Sequence, residues 1–197
     1  MSKAPHIIIL AGPNGAGKST SAPVLLRDAF AVDEFVNADS IAQGLSAFRP
    51  ESVALEAGRI MLKRLQELAG KRADFAFETT LASRTFAPWL KQLVAAGRKS
   101  HLMFLTLPNA DAAIARAASR VSLGGRNVLA SDIRRRFAAG LKNLFRLYMP
   151  VASSWQIFDD SYPDSPVKIA EGGQDTSFNV IYEKRYNALM TEHNYVR

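Results

Sequence analysis

The chain contains no cysteine, which excludes disulfides and thiolate metal centres and makes a reducing cytoplasm the expected compartment. Its three histidines, His6, His101 and His193, are scattered without any metal-ligand spacing. No apolar run approaches the roughly 20 residues that a membrane span requires. A loop motif opens at Gly12, so close to Met1 that no cleavable signal peptide is expected before it. Internal repeats, low-complexity tracts and linkers are also missing. At 197 residues, 48% apolar and 22% charged, the chain is expected to form one soluble domain over residues 1–197.

What is present begins with Gly12-Pro13-Asn14-Gly15-Ala16-Gly17-Lys18-Ser19-Thr20, a complete G-x-x-x-x-G-K-[ST] pattern. The β-branched run His6-Ile7-Ile8-Ile9-Leu10 precedes it and a segment of helical composition follows, which is the context the pattern requires. Glycines let successive amide N–H groups turn inward as an anion-binding nest at a helix N-terminus. In such a nest Lys18 reaches the β- and γ-phosphates, Ser19 offers its hydroxyl to Mg²⁺ and Thr20 lies by the α-phosphate. A nucleoside triphosphate is therefore the expected ligand.

Strand candidates recur at Ile7 to Ala11, Glu34 to Asn37, Asp74 to Glu78, His101 to Leu107 and Trp155 to Phe158. Helical stretches separate them: Gly17 to Phe30, Ser52 to Ala69, Thr85 to Ala96, Asn109 to Ala118 and Asp132 to Leu147. Gly70 and Gly97 stand where two of these helices should end. The alternation predicts an α/β fold of three layers, a mainly parallel five-stranded sheet with helices on both faces. A late strand at Val167 to Ala170 is a further candidate inside a stretch rich in Pro, Gly, Ser and Asp.

Ligands of such a sheet bind beyond the carboxyl ends of the strands, so the polar residues there carry the chemistry. Asp39 follows the second strand and suits a base that accepts the proton of an attacking hydroxyl. It also suits a helix N-cap, a role Ser40 could take instead. Glu78-Thr79-Thr80, followed by Ser83 and Arg84, ends the third strand and offers a carboxylate, hydroxyls and a guanidinium to a hydroxyl-rich or phosphorylated substrate. Ser83 or Thr85 could equally cap the next helix, whereas Glu78 is expected to hold substrate or to bias the Mg²⁺ shell.

The net charge of +7 is concentrated in one segment. Residues 111–150 carry eight basic side chains, among them Arg116, Arg120, Arg126, Arg134, Arg135 and Arg136, against two acidic ones. Two helices lined with arginine and joined at Leu123-Gly124-Gly125 suggest a lid over about residues 116–136 that brings positive charge to a transferring phosphoryl group. A nucleic-acid track is the competing reading, but only Phe137, Phe145 and Tyr148 lie near for base stacking. A transporter-type ATPase shares the loop wording yet needs a downstream strand ending in Asp-Glu, and Arg134-Arg135-Arg136-Phe137 stands there instead.

Taken in order, the Gly12 loop, Asn37-Ala38-Asp39, Phe77 to Arg84, Arg120 to Gly125, and Arg134 to Phe137 with Asn143-Leu144 resemble the zeta toxin family of small kinases, and most closely its chromosomal branch. The resemblance covers about residues 5–170. It implies a nucleoside-kinase-like fold and an ATP- or GTP-dependent kinase that phosphorylates a hydroxyl of a UDP-N-acetyl-amino sugar. Asp39 would be the base, Glu78, Thr79 and Thr80 part of the sugar-nucleotide pocket, and Arg120 the first lid arginine. Arg126 stands where the second is expected, although Leu129 replaces the lid proline, and Arg135 is the fallback. An antitoxin protein is an implied partner. A module that binds nucleotide without turnover, switching a protein partner, remains an alternative.

Overall fold

The computed structural model describes residues 4–23, 26, 31–122, 128–161 and 166–195. Its elements in chain order begin with β1 (His6–Ala11), α1 (Lys18–Pro23), β2 (Phe35–Val36) and α2 (Ala38–Leu45), then a 3₁₀ turn (Pro50–Val53) and α3 (Ala54–Gly70). Next come β3 (Phe75–Thr79), α4 (Phe86–Ala95), β4 (Lys99–Thr106), α5 (Ala110–Ser122) and α6 (Ala130–Asn143), which runs into a π-helical turn (Leu144–Tyr148). The chain closes with β5 (Ser154–Asp159), β6 (Val167–Gly172), β7 (Asn179–Val180) and α7 (Glu183–Tyr195).

One sheet orders the strands β2-β3-β1-β4-β5-β6-β7. The first five are parallel and match the five expected from sequence, while β6 and β7 extend the sheet antiparallel. Sequence reading offered β6 as a candidate but gave no sign of β7, whose two residues carry too little pattern. Ile7, Ile8, Ile9 and Leu10 are wholly buried, as continuous apolar runs in a central parallel strand must be. Each side chain so buried contributes about 2 kcal/mol relative to exposure. Phe75 and Phe77 on β3 pack against Trp89 of α4.

The two punctuating glycines behave differently. Gly97 takes φ +86° just beyond α4, and the Arg98 after it is buried with its guanidinium donating to the carbonyls of Ala69 and Ala73 at the end of α3. Gly70 is the last residue of α3, but Arg72, at φ 55°, makes the left-handed turn. The histidines at 6 and 101, far apart in sequence, meet across β1 and β4, with His6 Nδ1 2.8 Å from His101 Nε2. Burial, and next the neighbouring His6, lowers the His101 pKa. They lie at the amino ends of their strands, opposite the Gly12 loop, and no cluster of three or more His, Asp or Glu suited to a metal exists among the described residues.

From β1 the chain first crosses to β2 on one side and later to β4 on the other, so β1 is the switch point of the sheet. The carboxyl end of β1, where the Gly12 loop begins, therefore faces the crevice where such sheets bind ligands.

Candidate active site

The loop after β1 is fixed by contacts that leave no room for side chains. Gly12 has φ +142°, and a Cβ there would stand 2.1 Å from the carbonyl oxygen of Leu105 on β4. Its N–H donates to the Thr79 carbonyl on β3, so the loop is tied to both neighbouring strands. Gly17, at φ +67°, would place a Cβ 2.8 Å from Oδ2 of Asp160, the residue after β5. Asp160 is ion-paired with Arg116 of α5. Burial nevertheless leaves the Asp160 pKa raised, because it outweighs the Arg116 hydrogen bond. Pro13, Asn14 and Ala16 are buried within the loop, Gly15 lies under α5, and Thr20 is exposed in the first turn of α1.

Lys18 is 6% exposed, and its Nζ donates to the Pro13 carbonyl at 3.0 Å. Burial lowers its pKa, opposed by the nearby Glu78 and Asp39, while Arg120 lowers it further. Lys18 thus lies within electrostatic reach of all three residues named from sequence on three other elements. Glu78, at the carboxyl end of β3, accepts hydrogen bonds at Oε2 from Ser19 Oγ (2.9 Å) and Asn37 Nδ2 (2.8 Å). Its Oε1 lies 3.6 Å from Lys18 Nζ.

The cap of α2 is neither Asp39 nor Ser40. It is Asn37, whose Oδ1 accepts from the backbone N–H groups of both Asp39 and Ser40. The helix starts at Ala38, upstream of both candidates, and the cap stands one residue before it. Asp39 then occupies the first helical turn. Ser83 and Thr85 likewise do not cap α4: Thr85 stands at the cap position without a side-chain cap bond, and the Ser83 hydroxyl accepts from the Thr85 N–H in a local turn.

The loop after β3 is held from above. Thr79 and Thr80 turn their hydroxyls onto the N–H groups of Leu81 and Ala82, and Leu81 takes φ 56°. Asn143 of α6 donates Nδ2 to the carbonyl of Leu81 at 2.7 Å, Tyr148 donates its hydroxyl to the carbonyl of Ser83 at 2.8 Å, and Gly140 has no room for a Cβ over the Thr80 carbonyl. Burial pushes the Tyr148 pKa up to about 12, so the hydroxyl stays a donor throughout the physiological range. The π-helical turn sets Tyr148 at this depth. Sequence reading gave Gly140 and Tyr148 no supporting role and quoted Asn37 and Asn143 only as parts of the motifs that carry the resemblance, without a role.

The arginines divide. Arg116 reaches the Gly12 loop through Asp160, and Arg120, exposed at the end of α5, acts on Lys18 through charge. Arg134 and Arg135 pair with Asp111 and Asp132 on the surface, and Arg84 is exposed. The expected lid arginine Arg126 lies outside the described residues, as does the turn at residues 123–127.

The family model for zeta toxin matches residues 1–161. A protein of Haemophilus influenzae is 28% identical over 128 residues, covering 64% of this chain and 87% of the relative. Among solved structures, the AvrRxo1-ORF1:AvrRxo1-ORF2 complex with sulphate ions superposes with a TM-score of 0.72 at 17% identity, over 96% of this chain and 64% of that one. The chain thus spans under two thirds of that neighbour, which has also been solved with ATP. The PezAT chromosomal toxin-antitoxin system of Streptococcus pneumoniae superposes with a TM-score of 0.64 at 15% identity, over 99% of this chain and 88% of that one. The motif order, the sheet order around the Gly12 loop and the family match together place the chain in the zeta toxin family, with a P-loop kinase fold.

Proposed function

We propose that the protein transfers the γ-phosphoryl group of ATP or GTP to a hydroxyl of a small acceptor, with a UDP-N-acetyl-amino sugar as the acceptor of choice. In this reading Gly12 to Thr20 hold the triphosphate and Lys18 neutralises its β- and γ-oxygens. Asp39 takes the proton of the acceptor hydroxyl as its oxygen attacks phosphorus. The bond to the β-phosphate oxygen breaks, and nucleoside diphosphate leaves. Arg120, and Arg126 with it, meet the negative charge of the transferring group. Thr79, Thr80 and Arg84 face the acceptor.

The observation that carries the reading is the convergence on Lys18 of Glu78, Asp39 and Arg120, from three separate elements. The Ser19 hydroxyl beside the Glu78 carboxylate is an oxygen-only donor pair, which fits Mg²⁺. Ser19 and Glu78 would hold the ion there, and it would supply charge neutralisation to the triphosphate. A protein antitoxin is a proposed partner, since PezAT is by its description a toxin-antitoxin system.

Incubation with labelled ATP and a panel of UDP-sugars, with oligonucleotides as controls, tests the acceptor. A labelled sugar nucleotide is the expected product. Label on oligonucleotide alone would replace this reading with a polynucleotide kinase, and ATP binding without any transfer would favour a nucleotide-controlled switch.

A further inference from the structure

Asn37 is 9% exposed, and each end of its amide has a fixed duty. Two backbone N–H groups, of Asp39 and Ser40, point at one end, so that end is the oxygen. The amide nitrogen must then face Glu78, as it does at 2.8 Å from Oε2. The orientation follows from the helix start rather than from a choice between look-alike atoms.

The partner of that nitrogen poses a physical question. Lys18 and Glu78 are a buried ammonium and a half-buried carboxylate, 6% and 13% exposed. Such a pair ordinarily closes to about 2.8 Å, because desolvated charge strengthens the contact. Here they stand 3.6 Å apart, and Lys18 donates to the Pro13 carbonyl instead. Glu78 is drawn toward the other side by two donors on Oε2, Ser19 and Asn37. Asn37, anchored to α2, supplies the lateral pull.

We infer that Asn37 is a positioning residue, which holds the Glu78 carboxylate on Ser19 and off Lys18, so that the lysine stays available to triphosphate. This rests on the donor half of the proposed function. The same amide sets the first turn of α2, so one side chain fixes the candidate base Asp39 relative to the phosphate loop. Of the favoured N-cap residues, Asp has no donor for a carboxylate and Ser and Thr have one short hydroxyl for both duties, whereas Asn carries its acceptor and its donor on separate atoms.

The test measures the affinity for ATP without Mg²⁺, in the presence of EDTA, by calorimetry, so that the proposed ion-holding role of Glu78 does not enter and no acceptor is needed. Asn37→Ser keeps an N-cap but loses the reach to Glu78. It is expected to weaken ATP binding about tenfold with a melting temperature near that of the native chain. Adding Glu78→Gln to Asn37→Ser removes the competing charge and is expected to restore affinity to within about twofold. Unchanged affinity in Asn37→Ser, or a loss that Glu78→Gln does not repair, would overturn the inference while leaving ATP binding intact. Should Asn37→Ser melt well below the native chain, Asn37→Thr, which also keeps a cap without adding charge, repeats the measurement, and the Glu78→Gln rescue again decides. Absence of ATP affinity in the native chain would sink the donor reading itself, and this inference with it.

Discussion

The phosphate loop and the arginine segment both carry the positive charge that phosphoryl transfer demands, and they carry it in opposite ways. Lys18 is buried, held by the Pro13 carbonyl and set against Glu78, with glycines packed on β4 and Asp160 around it. Arg134 and Arg135 are 56% and 66% exposed and paired with carboxylates that are themselves exposed. The first region is organised before any ligand arrives. The second spends its charge on the surface, with Arg120 as its link to Lys18. The Gly12 loop is thus preorganised, whereas the described part of the arginine segment resembles an ordinary helical surface.

Mutations can break this contrast. The largest effect is expected at the base: Asp39→Asn should lower the transfer rate about 10²- to 10⁴-fold, with ATP affinity within about twofold. Full activity in that variant would remove Asp39 from the chemistry. Next, Lys18→Ala should weaken ATP binding about tenfold to a hundredfold, the worth of a charge-assisted contact in a buried site. Calorimetry showing native affinity would mean that the loop does not hold phosphate.

The contrast is sharpened by comparing two arginines of one segment. Arg120→Ala is expected to slow transfer about tenfold, as befits one charge aimed at a developing oxyanion. Arg135→Ala should leave both the rate and the melting temperature unchanged, because exposed ion pairs contribute little. Equal loss in the two would show that the segment acts as a diffuse field.

Much of this arrangement was legible from residues alone, and unevenly so. The loop from Gly12 to Thr20 announces itself because its glycines, lysine and hydroxyls must follow one another at fixed spacing. Five parallel strands were readable because each is an apolar run bounded by polar residues. The N-cap was not, because a cap depends on where α2 begins, and Ala38-Asp39-Ser40 carries no apolar pattern to mark the start. Nor was the clamp of Asn143 and Tyr148 on the β3 loop, since a contact between residues 62 or more positions apart leaves no local trace. The two histidines looked unrelated for the same reason. The basic character of the arginine segment was plain, but which arginine turns inward depends on the ends of α5 and α6.

The sheet has one further consequence. Its two outer strands, Phe35–Val36 and Asn179–Val180, are two residues long. An edge that short presents hardly any free N–H and C=O ladder for another chain to extend. The fold thereby resists edge-to-edge aggregation, and a protein partner would grip this chain through helices and loops rather than by adding a strand.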